Sequence, residues 1–391
     1  METLAAAVVG TGFIGLVHVE ALRRLGIDVV GVVGSSPQRG TAKAEQYGLP
    51  AAYENLDAML ADDRVDVVHI ASPNHVHFDQ ARRCLAAGKH VVCEKPLATS
   101  SHETRELMRL ADSSGLINAV NFNIRFYPHV LEVHERVRAG DLGQIRLVTG
   151  SYLQDWLLLD TDWNWRVERR RGGPLRAVSD IGSHWIDLLS FILDRRLAAL
   201  VADMHTFLPV RYRPDAPVEA FAQTTTDGSI VRTAVDVDTD DAASMLLRWS
   251  GGVRGAFTVS QVSPGRKNAL SFEIDGARSA ASWQSERPDE LWLGHRDRPN
   301  ELILRDPTLL SPGAASAATL PGGHAEGFEN TFKQLFARVY ADVRSGAPAD
   351  RPDYPTFVDG HHSAVVAEAV AASAAEARWI EIESELEGSR P

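Results

Sequence analysis

The stretch HVVCEKPLAT places a glutamate and a lysine at the end of a short apolar run. The run Val91–Cys93 is typical of a buried strand, so we expect Glu94 and Lys95 at its tip. A lysine in that position can hydrogen-bond a substrate hydroxyl group and lower the pKa of that group. Pro96 restricts the backbone after the lysine, with a cis peptide as one option. The stretch therefore predicts a proton-handling lysine, and an exposed lysine without a chemical role is the alternative.

A second stretch, SDIGSHWID, spaces an aspartate and a histidine four residues apart. Asp180 and His184 would share one face of an α-helix, and Asp187 extends the same stripe. A histidine there can accept a hydroxyl proton while the carboxylate orients the imidazole or the substrate. Two metal ligands would suit the same spacing, but no further cysteine or histidine completes such a site. An N-capping aspartate with a half-buried histidine is the structural alternative. We predict Lys95, Asp180 and His184 as catalytic residues and expect no metal.

The segment VVGTGFIG carries Gly10, Gly12 and Gly15 between a predicted strand and a predicted helix. There the first glycine permits a tight turn, the second lets the backbone approach a pyrophosphate, and the third lets the helix pack on the strand. The N–H groups of the helix N-terminus would face the phosphates. The segment predicts a dinucleotide site, and a glycine-rich turn of another α/β fold is the alternative.

These side chains need a scaffold that brings strand ends together, and the first 125 or so residues predict one. Short β-branched runs alternate there with amphipathic stretches, which indicates a parallel sheet covered on both faces. The predicted strands are Leu4–Val9, Asp28–Gly34, Val65–Ser72, His90–Glu94 and Ile117–Phe122, and helices begin near Phe13, Pro37, His75 and Ser101. Ligands of such a doubly wound sheet bind outside the carboxyl ends of the strands.

Beyond about Gly140 several runs alternate in period two between glycine-rich turns, which predicts an antiparallel sheet. One helix is expected over Ser179–Leu193 and two near the end of the chain, while Asp306–His324 reads as a long loop and a plausible lid. The predicted fold class is α/β. Residues 1–125 are predicted to form a doubly wound parallel sheet, and residues 126–391 a second domain with a mainly antiparallel sheet. The C-terminal helix is able to pack back on the first domain.

Placement at strand tips selects the residues expected to contact the cofactor. They are Gly10, Thr11, Gly12, Phe13, Ile14, Ser35, Ser36, Ser72, Asn74, His77, Glu94, Lys95 and Asn123. No acidic residue follows the second strand, where one would bind the ribose of NAD. Arg39 could pair with the 2′-phosphate of NADP or be a solvated helix residue, so we predict NAD and leave NADP open. His75 and His77 as metal ligands would lack a neighbouring carboxylate cluster.

Composition excludes several classes of function. A net charge of −12 argues against nucleic acid or an anionic membrane surface as a partner. No apolar run approaches the roughly 20 residues of a membrane helix, and the N-terminus lacks the features of a signal peptide. The two cysteines provide neither a disulfide framework nor a thiolate zinc site. We expect a cytoplasmic protein.

The glycine loop, EKP, NFNIRF and DIGSHWID together resemble the glucose–fructose oxidoreductase/inositol dehydrogenase (Gfo/Idh/MocA) family. The resemblance covers nearly the whole chain, and EKP with a downstream D-x-x-x-H is its specific part. It implies a Rossmann domain followed by an α/β domain with a large open sheet. It also implies reversible hydride transfer at a secondary alcohol of a sugar, inositol or glycoside, with the family's catalytic lysine at Lys95 and its Asp/His pair at Asp180 and His184. It also implies a homodimer or homotetramer assembled through the open sheet. The missing acidic residue and the basic run RVERRRGGPLRA are departures from the family pattern.

The segment SYLQDWLLLDTDWNWR interleaves aspartates with tryptophans. Tryptophan faces stack on sugar rings, and carboxylates bind hydroxyl or ammonium groups, so an amino sugar or aminoglycoside is one option. A solvated acidic loop over core tryptophans is the alternative. Trp165 and Arg166 are expected on the cofactor side. The predicted substrate contacts are Lys95, Arg125, Asp155, Trp156, Trp163, Asp180, His184 and, from the Pro/Gly-rich loop, His324.

Two other functions stay open. A relative could use NAD transiently as a glycoside lyase or deglycosidase, or it could have kept the cofactor site as a non-catalytic NAD-binding sensor. The intact Lys95, Asp180 and His184 favour an enzyme. Net turnover of added NAD distinguishes a dehydrogenase from both rivals.

Overall fold

The computed structural model describes residues 4–215 and 231–382, which form two compact units. The first unit comprises the described residues up to Asn123 together with Arg170–Gly173 and Phe328–Ala364. The second comprises Ile124–Arg169, Pro174–Gly327 and the described residues from Val365. None of the helices within these described ranges is long and apolar enough to cross a membrane.

Strands and helices alternate in the first third of the chain, and strands dominate the middle. The strands are β1 (Ala5–Val9), β2 (Asp28–Val33), β3 (Ala52–Tyr53), β4 (Val67–Ile70), β5 (His90–Cys93), β6 (Asn118–Val120), β7 (Ile145–Leu153), β8 (Leu197–His205), β9 (Val210–Pro214), β10 (Arg232–Asp236), β11 (Ala242–Trp249), β12 (Arg254–Ser260), β13 (Ala269–Gly276), β14 (Ser279–Gln284), β15 (Glu290–His295), β16 (Glu301–Leu304) and β17 (Ile380–Glu381). The α-helices are α1 (Phe13–Arg24), α2 (Pro37–Tyr47), α3 (Leu56–Leu60), α4 (His77–Ala86), α5 (Ser101–Ser114), α6 (Pro128–Ala139), α7 (Arg169–Gly172), α8 (Ser183–Leu193), α9 (Pro312–Ala317), α10 (Phe328–Ser345) and α11 (Phe357–Glu376).

The sheet of the first unit has six parallel strands in the order β3-β2-β1-β4-β5-β6. This is the order of a doubly wound dinucleotide-binding sheet, in which the chain changes direction between β1 and β4 and ligands bind at that point. Strand β1 reads AAAVV and is buried throughout, as expected for a strand covered by helices on both faces. The predicted Rossmann fold is confirmed.

Local signals explain where the helices of this unit begin and end. Ser36 and Ser100 accept hydrogen bonds from the backbone at the starts of α2 and α5, which satisfies N–H groups without a partner inside the helix. Gly48 and Gly115 end the same helices in the left-handed conformation that glycine adopts without strain. The capped helices α2 and α5 follow β2 and β5 and so fix where these strands end.

The second unit contains a nine-stranded sheet in the order β16-β15-β14-β13-β7-β12-β11-β8-β17, in which only β7 and β12 pair in parallel. The predicted large, mainly antiparallel sheet is confirmed. Helix α8 packs on this sheet, with the ring of Trp185 stacked on that of Phe257 at 4.2 Å. A Cβ atom at Gly150 would lie 2.6 Å from Nε1 of Trp185, so this strand position needs glycine. Strands β9 and β10 form a separate two-stranded sheet.

Two predictions about elements need correction, and one strand was missed. The helix expected over Ser179–Leu193 begins with a π-helical turn, Val178–Gly182, and becomes α-helical at Ser183. The loop expected over Asp306–His324 contains α9, because two of its alanines, Ala314 and Ala317, pack into a small apolar cluster. Strand β3 was not predicted, since its two residues are too few for a periodic signal.

Candidate active site

The glycine loop has the geometry that a pyrophosphate requires. Gly10 follows β1 with a φ of +106°, and a Cβ atom there would lie 2.4 Å from the carbonyl oxygen of Ala71. A Cβ atom at Gly15 would lie 2.1 Å from the carbonyl oxygen of Gly10, so the helix can pack only against glycine. Gly12 is exposed, nothing lies within 4 Å of its Cβ direction, and no side chain caps the first turn of α1. These observations fit a dinucleotide whose phosphates meet the N-terminus of α1.

The other residues predicted to contact this part of the cofactor follow β2, the neighbour of β1 in the sheet. Tyr47 donates its hydroxyl hydrogen to the carbonyl oxygen of Thr11 over 3.2 Å and so supports the loop, a contact that the sequence did not indicate. Ser36 uses its hydroxyl oxygen to accept from the backbone of Arg39 at 3.3 Å. Ser35 and Arg39 are exposed, as are Gly12 and Phe13 on the loop.

The tip of β4 is held by hydrogen bonds within the first unit. Ser72 donates to Oε1 of Gln80 over 2.6 Å, and Asn74 donates through Nδ2 to the carbonyl oxygen of Gly172 over 2.8 Å. Asn74 is therefore buried against a segment that lies almost a hundred residues further along the chain. The contact with a cofactor that we predict for Ser72 and Asn74 stays a prediction.

His77 links the segments that follow β4 and β5 by two hydrogen bonds. Its Nδ1 lies 2.8 Å from the carbonyl oxygen of Pro96, and its Nε2 lies 2.8 Å from that of Ser72. The ring is fully buried, and burial lowers its pKa against the opposing effect of the two carbonyl acceptors. These contacts give His77 a positioning role, and its predicted contact with the cofactor stays a prediction.

Glu94 and Lys95 stand at the tip of β5, as predicted, and the Lys95–Pro96 peptide is cis. Glu94 is 8% exposed and accepts hydrogen bonds from His18 and Asn121 at Oε1. Burial alone would raise the pKa of Glu94, but these bonds and the positive charge of Lys95 outweigh it and lower that pKa. Glu94 is therefore an ionised residue directed into the first unit, whereas Lys95 is only half-buried.

Two predicted residues after β6 are buried in protein contacts. Asn123 donates to the hydroxyl oxygen of Thr331 over 2.7 Å within the first unit. In the second unit Arg125 forms a two-pronged ion pair with Asp187, in which Nε lies 2.7 Å from Oδ2. The predicted substrate contact of Arg125 stays a prediction, and Asp187 gains a defined role as its counter-charge.

Asp180 lies in the π-helical turn with both carboxylate oxygens engaged. Oδ1 accepts from Nε of Arg166 over 3.1 Å, and Oδ2 accepts from Nε2 of Gln261 over 2.8 Å. The guanidinium of Arg166 also stacks over the ring of Trp165 at 4.5 Å. Arg166, expected on the cofactor side, thus orients the carboxylate of Asp180. His184 follows in the first turn of α8 and is 8% exposed.

Asp155 in the tryptophan-rich segment already has a counter-charge. Its Oδ2 lies 2.7 Å from the ammonium nitrogen of Lys267 and 3.0 Å from the backbone nitrogen of Gly265. Trp156 donates to Oε1 of Gln154 over 2.8 Å, and its ring and that of Trp163 border a small apolar cluster. The segment is thus held by its own contacts, and its tryptophan rings remain partly exposed.

Arg211, which we did not predict, fastens this segment. It is fully buried and donates to the carbonyl oxygens of Leu157 and Leu159 over 3.0 Å each. It also donates over 2.8 Å to Asp241, a carboxylate that it shares with Arg176. No local pattern marks an arginine in a short edge strand as the anchor of a loop fifty residues earlier. The sequence did not indicate Gln261 either, because its role depends on its hydrogen bond to Asp180.

His324 and possible metal ligands complete the candidate residues. His324 is exposed, and its carbonyl oxygen accepts a hydrogen bond from Arg305, so its predicted contact with a substrate stays a prediction. Across the part of the chain that the structure describes, no group of three or more His, Cys, Asp or Glu residues could hold a metal ion.

Comparisons with known proteins identify the family. Residues 4–122 match the family model described as an oxidoreductase family with an NAD-binding Rossmann fold (GFO_IDH_MocA), and residues 130–282 match the GFO/IDH/MocA C-terminal domain. Levoglucosan dehydrogenase of Pseudarthrobacter phenanthrenivorans is 26% identical over 98% of this chain and 99% of its own. D-xylose 1-dehydrogenase (NADP(+)) 2 of Haloferax volcanii is 34% identical over 69% of this chain and 80% of its own.

A solved structure extends the likeness to the whole fold. Levoglucosan dehydrogenase in complex with NADH and L-sorbose superposes with a TM-score of 0.86 at 25% identity, over 98% of this chain and 100% of that one. Together with the family models this likeness confirms the predicted oxidoreductase class and the predicted NAD cofactor. The chain belongs to the GFO/IDH/MocA family of oxidoreductases.

Proposed function

We propose that the protein oxidises a secondary hydroxyl group of a neutral sugar or glycoside with NAD, reversibly. The observation that carries the proposal is the match over nearly its full length to levoglucosan dehydrogenase, a protein solved with NADH and sugars. The glycine loop and the strand tips supply the cofactor site. The tryptophan rings of the segment after β7 supply apolar faces that suit a sugar ring.

The proposed roles of the chain's own residues follow from their chemistry. Nicotinamide supplies the hydride acceptor when it is bound. Lys95 hydrogen-bonds the hydroxyl group and stabilises the developing alkoxide, and His184 takes up the proton. Asp180 orients the reacting groups, since Arg166 and Gln261 hold its two oxygens in place. Positioning of the carbinol carbon supplies much of the remaining rate enhancement.

A neutral substrate is favoured over an amino sugar. The acidic residues of the tryptophan-rich segment were the local argument for a cationic substrate, and Asp155 among them is paired with Lys267. That pairing and the hydrogen bond from Gly265 lower the pKa of Asp155 despite the opposing effect of burial, so its charge is already compensated. An ammonium group would have to displace Lys267.

A substrate panel tests the proposal. Anhydro sugars, alkyl glycosides, free pentoses and hexoses, inositols and amino sugars are each offered with NAD and with NADP, and formation of the reduced cofactor is followed by absorbance. We expect turnover with neutral pyranose rings and NAD. Absence of reduction with every neutral sugar would contradict the proposed function, and a preference for amino sugars would contradict the argument from Asp155.

We further propose a homodimer or homotetramer assembled through the nine-stranded sheet, and a cytoplasmic location. Leu246 is 53% exposed on β11 and Leu302 is 58% exposed on β16, so apolar side chains lie on the open sheet. Both cysteines, Cys84 and Cys93, are free and buried, which fits a reducing compartment. Sedimentation analysis of the wild type and of Leu246→Glu measures the assembly; a wild-type monomer would contradict it.

A further inference from the structure

A row of polar side chains crosses the apolar interior of the first unit. His18 of α1, His69 of β4 and Tyr340 of α10 are all fully buried. Nε2 of His69 lies 3.0 Å from the hydroxyl oxygen of Tyr340, and Nδ1 of His69 lies 3.0 Å from Nδ1 of His18. Nε2 of His18 lies 3.1 Å from Oε1 of Glu94. Three hydrogen bonds therefore connect helix α10 with the residue before Lys95.

The direction of these hydrogen bonds follows from the carboxylate at their end. An ionised carboxylate only accepts, so Nε2 of His18 donates to Glu94. The two Nδ1 atoms of His18 and His69 share one hydrogen, and Nε2 of His69 pairs with the hydroxyl group of Tyr340. Burial and the neighbouring His18 lower the pKa of His69 well below its ordinary value, which keeps that ring neutral. The row of hydrogen bonds therefore ends on the carboxylate of Glu94.

Aromatic side chains surround this row of hydrogen-bonded residues and exclude water. Phe336 contacts the rings of both His18 and His69, at centroid distances of 4.9 and 4.7 Å, and Phe332 contacts His18 at 5.6 Å. A buried polar group that loses its partner is destabilising, whereas apolar residues of similar shape would pack here without that risk. These buried polar residues therefore indicate a role other than packing of the core.

Lys95 sits between two anchored neighbours. On one side Glu94 accepts from His18 and from Nδ2 of Asn121. On the other side the carbonyl oxygen of Pro96 meets the ring of His77 at 2.8 Å. A lysine that must meet a substrate hydroxyl group within hydrogen-bond distance benefits from a fixed backbone, because small displacements lower the rate.

We propose that Tyr340, His69 and His18 form a positioning relay that acts on Lys95 through Glu94. The relay keeps the Glu94 carboxylate in one orientation, so the backbone and the charge beside Lys95 stay constant while Lys95 interacts with the substrate. None of the three residues touches the reacting atoms. The inference rests on the proposed function, since a fixed Lys95 matters only if it handles the hydroxyl proton.

The test compares Tyr340→Phe, Glu94→Gln and the double variant. Tyr340→Phe keeps the ring that stacks on His69 and removes only the hydroxyl group. We expect it to lower kcat about 3–10-fold, the worth of one hydrogen bond, and Glu94→Gln to lower it about 10–100-fold. In the Glu94→Gln background, Tyr340→Phe should change kcat less than about 2-fold, because the relay no longer ends on a carboxylate. KM for the sugar should hardly change.

Tyr354→Phe is the matched control. Tyr354 is 3% exposed in the same unit and donates to Oδ2 of Asp342 over 2.8 Å, a carboxylate that is not a member of the relay. Its loss should lower stability and leave kcat unchanged. The relay is overturned if Tyr340→Phe leaves kcat at the wild-type value, or lowers it equally with and without Glu94→Gln.

Urea unfolding of the same variants provides a readout that needs no substrate. The effects of Tyr340→Phe and Glu94→Gln on the free energy of unfolding should be non-additive, since both act on one hydrogen-bonded chain. Additive effects would contradict the relay even if no sugar were turned over. Lack of turnover by the wild type, together with non-additive unfolding, would instead contradict the proposed function and leave the network in place.

Discussion

At the scale of single residues, the orientation of Asp180 depends on two side chains that reach it from different parts of the second unit. Arg166 comes from the tryptophan-rich segment and Gln261 from the end of β12. Gln261 is fully buried and gives a charge-assisted hydrogen bond, which is stronger and more directional than a neutral one. The carboxylate is thus fixed before any substrate arrives, as expected of a group that orients others.

Gln261→Leu should therefore lower kcat rather than raise KM. The leucine keeps most of the side-chain volume but removes the donor, and a hydrogen bond to a charged group is worth about 1.5–3 kcal/mol, or roughly a 10–150-fold change. Steady-state kinetics with the best sugar of the panel measures kcat and KM. Gln334→Leu, which removes another buried glutamine far along the chain, is the control and should leave kcat unchanged. A rise in KM at constant kcat would contradict the orienting role of Asp180.

At the scale of elements, the π-helical turn at Val178–Gly182 shows where sequence periodicity stops being informative. A period of 3.6 residues runs through the whole segment and predicts one α-helix. In the structure the carboxylate of Asp240 accepts from the backbone nitrogens of Arg176 at 2.6 Å and Val178 at 2.9 Å, at the start of the turn. The turn is thus held by a residue sixty positions later. Such turns are frequent at functional sites, and this one carries Asp180.

The site residues that the sequence predicted and those that it missed differ for a physical reason. Strand tips, the glycine loop and helix caps depend on residues within about ten positions, so the sequence predicted the placement of Gly10, Ser72 and Lys95. The anchoring contacts of Gln261 and Arg211 depend on partners many tens of residues away. No local pattern encodes them, which is why the sequence indicated Asp180 but missed the residues that orient it.

At the scale of the whole molecule, buried histidines make stability depend on pH. Burial lowers the pKa of five described histidines below the ordinary value of 6.5; they are His69, His77, His90, His129 and His134. The unfolded chain therefore binds more protons than the folded one as pH falls below 6.5. Their contribution to stability is complete above that pH and is lost on acidification. Asp240 acts oppositely, since burial raises its pKa to about 6, but it is one group against five.

We accordingly expect the free energy of unfolding to decrease between pH 7.5 and pH 5.5. Each fully neutral buried histidine contributes up to about 1.4 kcal/mol per pH unit below its unfolded pKa. Urea titrations at several pH values, at constant ionic strength, give the slope directly. The His69→Gln variant is an informative comparison, because it should flatten the slope. A stability that is equal or higher at pH 5.5 would show that these rings are protonated in the folded state.

Lys95, through its hydrogen bond to the reacting hydroxyl group, is the residue on which the proposed NAD-dependent oxidation of a sugar depends most. The most direct measurement is kcat for formation of NADH by the wild type and by Lys95→Met, which keeps an unbranched side chain without the ammonium group. Loss of one acid–base group should lower kcat about 10²–10⁴-fold. Binding of NADH, followed by its fluorescence, should stay within about 2-fold if the glycine loop and helix N-terminus supply that affinity. A Lys95→Met enzyme that turns over at nearly the wild-type rate would contradict the account.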